Sequence, residues 1–267
     1  MVTIGALPVS VTMHCAVGSS DWFKDEKRYS DLIAGWKQTC MNVRCVWGGG
    51  ETSTLTDIVL PDACVLSGSA WGIVKPKERL IKGNILDGDA IVLVESSGIH
   101  ANGLTMAREI TKKLPHGYLT TIGDGRTFGE ALLDSAHIYV PFIESCLETH
   151  AEIHYTVHIT GHGWRKLMRH PEPFVYSVEL IPQLCPLFQF IQAHGPVDDR
   201  EAYATFNMGA GFAVYCPEQT VKHVIEMAYF HGLNAFRAGK IKKEGDNKKV
   251  VIEPKRLEYD ASTLTIR

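Results

Sequence analysis

Three times between residues 90 and 216 an apolar run and a short polar stretch punctuated by glycine adjoin, and this recurrence limits the fold more than any other feature of the chain. Ala90 to Val94 is a continuous apolar run of strand length. Glu95-Ser96-Ser97-Gly98-Ile99-His100-Ala101-Asn102-Gly103 follows it, and Leu104, Ala107, Ile110 and Leu114 then recur at helical spacing. A strand that passes into a helix through such a loop presents open backbone N–H groups and the positive helix end, which suit an anionic ligand. Ser97, His100 and Asn102 are placed to line such a pocket; the same residues are also explained if Ser97 or Asn102 caps the helix and His100 is an ordinary surface histidine. Ile153 to Ile159 alternates like a strand and leads into a second turn, His158-Ile159-Thr160-Gly161-His162-Gly163-Trp164. Phe206-Asn207-Met208-Gly209-Ala210-Gly211-Phe212 adds a third ahead of a strand from Ala210 to Cys216, its glycines fitting either close backbone approach or a β-bulge. Two similar strand-to-helix turns in one domain point to a shared ligand cleft.

The remaining segments mix both periodicities. Val2 to Ile4 and Val9 to Met13 read as strand, and Leu32, Ile33, Trp36 and Cys40 predict a helix over about Tyr29 to Met41. Arg44 to Trp47 reads as a short strand ended by a turn at Gly48-Gly49-Gly50, and Ala63 to Val74 as a strand pair. Phe128 to Leu133, Ile138 to Leu147 and about Gln219 to His231 are helical in pattern. The polar, turn-rich stretch from Lys75 to Asn84 marks a domain boundary, giving residues 1–82 and 83–267. The expected class is α+β in two domains, without an internal repeat.

Gly48-Gly49-Gly50-Glu51-Thr52 sets three residues without side chains beside a carboxylate, so that backbone N–H groups can approach phosphate oxygens while Glu51 holds a magnesium ion; a tight turn with a solvated glutamate is the plainer account. His150, His154, His158 and His162 recur every four residues, as zinc ligands on a helix would. The alternation of Ile153, Tyr155, Val157 and Ile159 makes this a strand, where His154 and His158 stand about 13 Å apart at the roughly 3.3 Å rise per residue of a strand, too far to share an ion. His158 alone remains a functional candidate.

Charge and cysteine content narrow the partners. Lysine plus arginine number 27 against 30 acidic residues, a net charge of -3 with no like-charge block, so nucleic acid and membrane surfaces are not expected and a small molecule is. Seven cysteines at irregular spacing, with no C-x-x-C, fit neither a disulfide framework nor a zinc ribbon. The start of the chain lacks the pattern of a signal peptide, and no run approaches 18 apolar residues, so the expected location is the cytoplasm.

Taken in register, these segments resemble the aminoimidazole ribonucleotide (AIR) synthase family, the phosphoribosylformylglycinamidine cyclo-ligases. Gly5-Ala6-Leu7-Pro8 resembles the family's G-A-x-P, Gly49-Gly50-Glu51-Thr52 its G-G-E-T, and Ser96 to Gly103 its S-S-G-x-H-S-N-G. His158 to Gly163 resembles H-I-T-G-G-G, and Glu201 to Gly209 resembles E-M-Y-R-T-F-N-M-G. Asn234-Ala235-Phe236-Arg237 through Ile252 follows the closing segment. The resemblance implies an ATP- and Mg2+-dependent ring closure of formylglycinamidine ribonucleotide, in which phosphoryl transfer activates the formyl oxygen and a neighbouring nitrogen attacks. Carried over by residue, Gly49, Gly50, Glu51 and Thr52 would serve Mg-ATP, with Glu51 as metal ligand. Ser97, Asn102, Thr160 and Gly161 would line the cleft, and His100 or His158 would transfer the proton. A homodimer through first-domain strands is also implied.

The departures are specific. The family's glycine-rich loop, D-G-V-G-T-K and N-D segments precede the point where this chain starts, so the expectation is a shortened first domain of lower stability and an upstream in-frame stretch that would complete the ATP site. The family's P-T-R-I-Y-V-K is Ser135-Ala136-His137-Ile138-Tyr139-Val140-Pro141 here, and the middle glycine of G-G-G is His162. Losing an arginine and a lysine weakens a phosphate site, which leaves a non-catalytic or differently specific relative open. A superfamily small-molecule kinase is a further alternative, with the reaction of thiamine-monophosphate kinase, selenophosphate synthetase or the hydrogenase-maturation dehydratase; Thr265-Ile266-Arg267 lacks the last enzyme's terminal cysteine, and the F-N-M-G segment points to AIR synthase more than to these three.

Overall fold

A computed structural model of the chain describes residues 1–264, so the ending Thr265-Ile266-Arg267 lies outside the described residues. The chain divides into two compact units, Met1–Leu80 and Ile81–Arg267.

The first unit is a three-stranded sheet with one long helix. The strand β1 (Leu7–Val17) is followed by α1 (Glu26–Asn42), β2 (Val46–Thr54) and β3 (Cys64–Ile73). The sheet order is β2-β1-β3, with β2 parallel and β3 antiparallel to β1. Asp25 starts α1 early, its side chain accepting the Arg28 N–H at 3.0 Å as an N-cap. Leu32, Ile33, Trp36 and Cys40 are the residues of α1 withdrawn from solvent, as their spacing predicts. Leu32 packs against Cys15, Val17 and Trp22, the small core of this unit.

Three strand readings are corrected here. Val2–Ile4 is a single 3-10 turn rather than a strand. The expected strand pair over Ala63 to Val74 is one continuous strand, Cys64–Ile73, pairing with β1 from Val17 opposite Cys64 to Leu7 opposite Ile73, so its serines and glycines do not break it. The glycines at 48–50 do not end β2 either; the strand runs through them to Thr54 with a bulge, Val11 pairing with Trp47 and Met13 with Gly50. A Cβ at Gly50 would stand 1.8 Å from the Met13 carbonyl oxygen, so that glycine is required by the approach of β1.

The second unit is a seven-stranded sheet covered by short helices. In chain order its elements are β4 (Ala90–Glu95), α2 (Leu104–Thr111), α3 (Phe128–Leu132), α4 (Val140–Glu148), β5 (Tyr155–His158), β6 (Val175–Val178), α5 (Pro186–His194), α6 (Asp199–Thr205), β7 (Ala210–Cys216), α7 (Val221–Phe230), β8 (Ala235–Lys242), β9 (Lys249–Ile252) and β10 (Leu257–Asp260). The sheet order is β10-β9-β6-β8-β4-β7-β5, antiparallel except where β6 runs parallel to β9. Ala90 to Val94 is wholly buried, which explains its unbroken apolar run. Ile91 and Leu93 join a core with Trp164, Tyr176, Phe188 and Tyr215, while α7 packs on β4 and against α4. Fully burying each aliphatic side chain of β4 contributes roughly 1.5–3 kcal/mol. The strands β4, β5 and β7 are neighbours, so the loops that leave β4 and β5 and the loop that enters β7 collect at one end of the sheet.

The four histidines at four-residue spacing are dispersed. His150 follows α4 with φ 56°, His162 has φ 77°, and His158 ends β5. His154 is buried, with Nδ1 2.8 Å from Asp89 Oδ2, and Asp89 also accepts the Leu86 N–H at 2.9 Å. That pair fastens β5 to the turn before β4. No helix among the described residues is long and apolar enough to cross a membrane.

Candidate functional site

The loop after β4 is shaped by Asn207 from the loop before β7. Asn207 is buried, and its Oδ1 accepts the Ser96 hydroxyl at 2.7 Å and the Gly209 N–H at 3.0 Å. Its Nδ2 donates to the carbonyls of Gly98 at 2.8 Å and Ile99 at 3.3 Å, and its own carbonyl accepts the Trp164 indole N–H at 2.7 Å. One residue, through its side-chain amide and its backbone carbonyl, thus joins all three glycine-bearing segments that stood out in the sequence. A buried polar group with every bond made fixes loop geometry more firmly than apolar contact does.

Neither Ser97 nor Asn102 caps α2; Gly103 occupies that position in a left-handed conformation and offers no side chain. Ser97 instead donates its hydroxyl to the Ser135 carbonyl at 2.6 Å and holds His100, whose Nε2 lies 3.0 Å from Ser97 Oγ and accepts the Ser97 N–H at 3.2 Å. His100 has φ 58°, a left-handed conformation that costs a non-glycine residue about 1–2 kcal/mol and is kept only where the surroundings enforce it.

Around His100 stands a ring cluster that the sequence reading did not assemble. The ring centroids of His100 lie 6.3 Å from His137 and 6.5 Å from Tyr139, and Tyr139 lies 6.0 Å from His158 and 5.0 Å from Phe212. Tyr139 donates its hydroxyl to the Glu95 carbonyl at 2.7 Å. Its bulk is admitted by Gly211, where a Cβ would meet Tyr139 Oη at 2.0 Å and His100 Cε1 at 2.9 Å. Gly211 is also the residue skipped in the pairing of β4 with β7, Val94 opposite Phe212 and Glu95 opposite Ala210. Both accounts of the third glycine segment, bulge and close approach, therefore hold at once.

Burial first, then the neighbouring His137 and His158, push His100 down to about 4. His158, an exposed residue at the end of β5, is also held below the ordinary histidine value by its packing against Tyr139 and Phe212 and by Lys166. At neutral pH His100 is an uncharged imidazole.

Past His158 the chain enters Thr160-Gly161-His162 and then a 3-10 helix, Gly163–Met168. A Cβ at Gly161 would stand 3.1 Å from Asn102 Oδ1, so the tips of the two loops touch there. Asn102, Thr160 and Gly161 line a cleft of about 520 Å3, whose wall continues through His162, Lys166, Arg169 and Lys248. Burial and Arg169 lower the Lys166 pKa, and Lys166 donates to Thr160 Oγ1. His162 carries a left-handed φ, which is the physical reason a glycine would suit that position.

Ser97, His100, Asn102, His158, Thr160 and Gly161 all lie in this second unit and come together through those two loops. Gly49, Gly50, Glu51 and Thr52 lie on β2 of the first unit, exposed, with Glu51 opposite His14 in the register with β1. The residues that sequence reasoning passed over are Asn207, His137, Tyr139, Lys166, Arg169 and Lys248. Lys166 and Arg169 carried a signal, since residues three apart on a 3-10 helix share a face.

A family profile of AIR synthase related proteins, C-terminal domain, matches residues 87–252, the span that holds the ring cluster and nearly all of the cleft. The phosphoribosylformylglycinamidine cyclo-ligase of Methanocaldococcus jannaschii is 34% identical over 242 residues, 90% of this chain and 67% of that protein. The chain belongs to the AIR synthase family. The cyclo-ligase of Methanosarcina acetivorans is 33% identical over 85% of the chain and 66% of its own length, so the chain spans about two thirds of such relatives. Among solved structures, the hydrogenase maturation protein HypE superposes with a TM-score of 0.69 at 15% identity, over 99% of this chain and 79% of that one. T. maritima PurL in complex with ATP gives a TM-score of 0.59 at 13% identity, over 98% of this chain and 38% of that one. These structures share the AIR synthase-like α+β fold.

Proposed function

We propose that the chain is an ATP-dependent cyclo-ligase-like protein acting on formylglycinamidine ribonucleotide or a related amide or amidine. The observation that carries this reading is the meeting of the Ser97–Asn102 and His158–Gly161 loops beside an open cleft, within a chain 34% identical to a named cyclo-ligase. Ring closure of such a substrate needs a nitrogen nucleophile to lose a proton as it attacks. His158 across Tyr139 is an acceptor for that proton; His100, uncharged at pH 7, already accepts the Ser97 N–H through Nε2 and takes the proton only by giving up that bond. An anionic ligand beside these imidazoles raises their proton affinity toward the working pH. The loops fix the groups in advance, so that positioning supplies much of the barrier reduction.

In this reading the first unit, residues 1–82 by the sequence boundary, belongs to the nucleotide-binding and dimerising part of the family, and residues 83–267 form the substrate domain. ATP would supply the phosphoryl group that activates the amide oxygen. Gly49 is open, with nothing within 4 Å of an added Cβ, although its carbonyl already accepts the Trp47 indole N–H at 2.8 Å; Gly50 is already taken up by β1. For Mg2+ the donor set is thin: among the described residues no three His, Cys, Asp or Glu side chains converge on one ion, and Glu51 stands as a single exposed carboxylate. No step is assigned to the metal. Homodimer formation through this unit is favoured by β3, exposed along its length with Val65, Leu66, Trp71 and Ile73 presented to solvent.

His137, Pro141 and His162 stand where the family carries Arg, Lys and Gly, and they favour a second reading, a relative with altered specificity or binding without turnover. Calorimetric titration with formylglycinamidine ribonucleotide, followed by assay of ADP release on adding ATP and Mg2+, separates the two. Binding with ADP release supports the ligase; binding without it supports a binder without turnover; absence of binding overturns formylglycinamidine ribonucleotide as the ligand and leaves the relative of altered specificity.

A further inference from the structure

We propose that Lys166, Arg169 and Lys248 form a subsite for a phosphomonoester group, which orients a phosphorylated small molecule with its other end toward Asn102 and the His100–His158 cluster. The inference rests on the preceding reading only in placing the ligand at this cleft; it adds where the charged end goes.

The three cations come from two distant parts of the sequence. Lys166 lies on the 3-10 helix Gly163–Met168 and Arg169 immediately follows it, so both side chains leave the same face. Lys248 precedes β9, which packs against that helix, and the Lys248 carbonyl accepts the Ala261 N–H at 3.1 Å. All three line the cleft of about 520 Å3, and among the described residues neither Asp nor Glu lines it. Among the described residues none of the three forms an ion pair, although the protein's other basic residues do so repeatedly, as with Lys255 and Asp199 at 2.9 Å or Arg237 and Glu179 at 3.1 Å. Among the described residues the Lys166 ammonium bonds to Thr160 Oγ1 and the Lys248 ammonium to the Pro171 carbonyl at 3.3 Å, both neutral acceptors.

Bringing three unpaired cations to one concave wall is unfavourable unless an anion completes it. Lys166 and Lys248 are half-buried, and that burial lowers the proton affinity of both. Phosphate suits the set, because a guanidinium can hold two of its oxygens while the ammonium groups neutralise the rest. The volume admits a pentose phosphate, and Thr160, Gly161 and Asn102 are neutral polar groups fit for a sugar or amide. Cations at these positions also answer the loss at His137 and Pro141: the anion site is supplied by other elements of the domain.

The test is titration of the full chain, 15N-labelled, with ribose 5-phosphate, ribose and inorganic phosphate at two salt concentrations. Ribose 5-phosphate and phosphate are expected to give saturable shifts at Thr160–Arg169 and around Lys248, weakened by salt, whereas ribose gives none. Lys166→Gln, Arg169→Gln and Lys248→Gln are each expected to weaken ribose 5-phosphate about tenfold or more. The exposed Lys222→Gln, on α7, leaves it unchanged. Equal response to ribose and ribose 5-phosphate, shifts mapping elsewhere, or unaltered binding by all three variants would overturn the subsite; the wild-type comparison and mapping decide even if a variant fails to fold. These readouts need neither ATP nor ring closure, so a chain that binds ribose 5-phosphate here and never closes a ring retains the subsite while losing the ligase reading.

Discussion

Replacing Asn207 with alanine tests the claim that one buried amide builds the site. The residue is 4% exposed, and its side chain makes four hydrogen bonds, to Ser96, Gly98, Ile99 and the Gly209 N–H, at 2.7, 2.8, 3.3 and 3.0 Å. Alanine leaves the Gly209 N–H and the Gly98 carbonyl without this partner, at about 1–3 kcal/mol for each group that water cannot reach. Ser96 is half-buried and can turn toward solvent, and the 3.3 Å bond to Ile99 is the weakest of the set. The expected loss is therefore about 3–4 kcal/mol in the unfolding of the Ile81–Arg267 unit, read from urea transitions followed by circular dichroism. Asn207→Asp keeps the acceptors but loses both donated bonds and buries a charge, so it is expected to be no better. Amide exchange across Ser96–Gly103 should accelerate in both variants, and the Trp164 indole N–H resonance should shift. A loss below about 1 kcal/mol, with exchange in that loop unchanged, would refute the reasoning.

Three further outcomes follow from the same geometry. Gly211→Ala drives a methyl into Tyr139 Oη and breaks its bond to Glu95; a cost of about 2–3 kcal/mol in thermal melts, with a displaced Tyr139 ring signal, is expected, and an unchanged melt would contradict it. His100 should titrate by NMR with a midpoint about 4, against about 6.5 when unfolded; because the unfolded chain binds this proton first, the stability is present above 6.5 and is lost as pH falls from 6.5 through 4, by no more than about 2 kcal/mol once screening of its half-buried ring is allowed for. A folded-state midpoint at 6 or above would show that the cluster does not hold it neutral. Glu51→Ala, at an exposed strand position, should change stability by less than about 1 kcal/mol, so that any loss of Mg-ATP binding measured by calorimetry reflects the ligand; a large destabilisation would assign Glu51 a structural role.

The second unit was more legible in the sequence than the first, for a physical reason. Ala90 to Val94 and Ala210 to Cys216 are strands buried on both faces, and such strands announce themselves as unbroken apolar runs whatever their neighbours. The strand β3 has no such pattern, because all ten of its residues are exposed, so its serines and glycines imitated turns and suggested two strands. The glycines of β2 misled in the same way: what demands Gly50 is the Met13 carbonyl on a strand more than 30 positions earlier, and no local rule contains that distance. The loops carrying Ser97, His100 and His158 were visible through their glycines and their place after strands. Asn207 stood inside a recognised segment yet its role was hidden, since its four partners lie at Ser96, Gly98, Ile99 and Gly209. Lys248 gave no signal at all, for its place in the cleft depends on β9 pairing with β6.

The most direct test of the central claim is a titration of the 15N-labelled chain with formylglycinamidine ribonucleotide, with every backbone amide followed. Saturable shifts concentrated in Ser97–Asn102 and His158–Gly161, accompanied by an upward move of the His100 midpoint from about 4, are the predicted result. Shifts confined to other surfaces, or a His100 that titrates identically with and without the ligand, would contradict it.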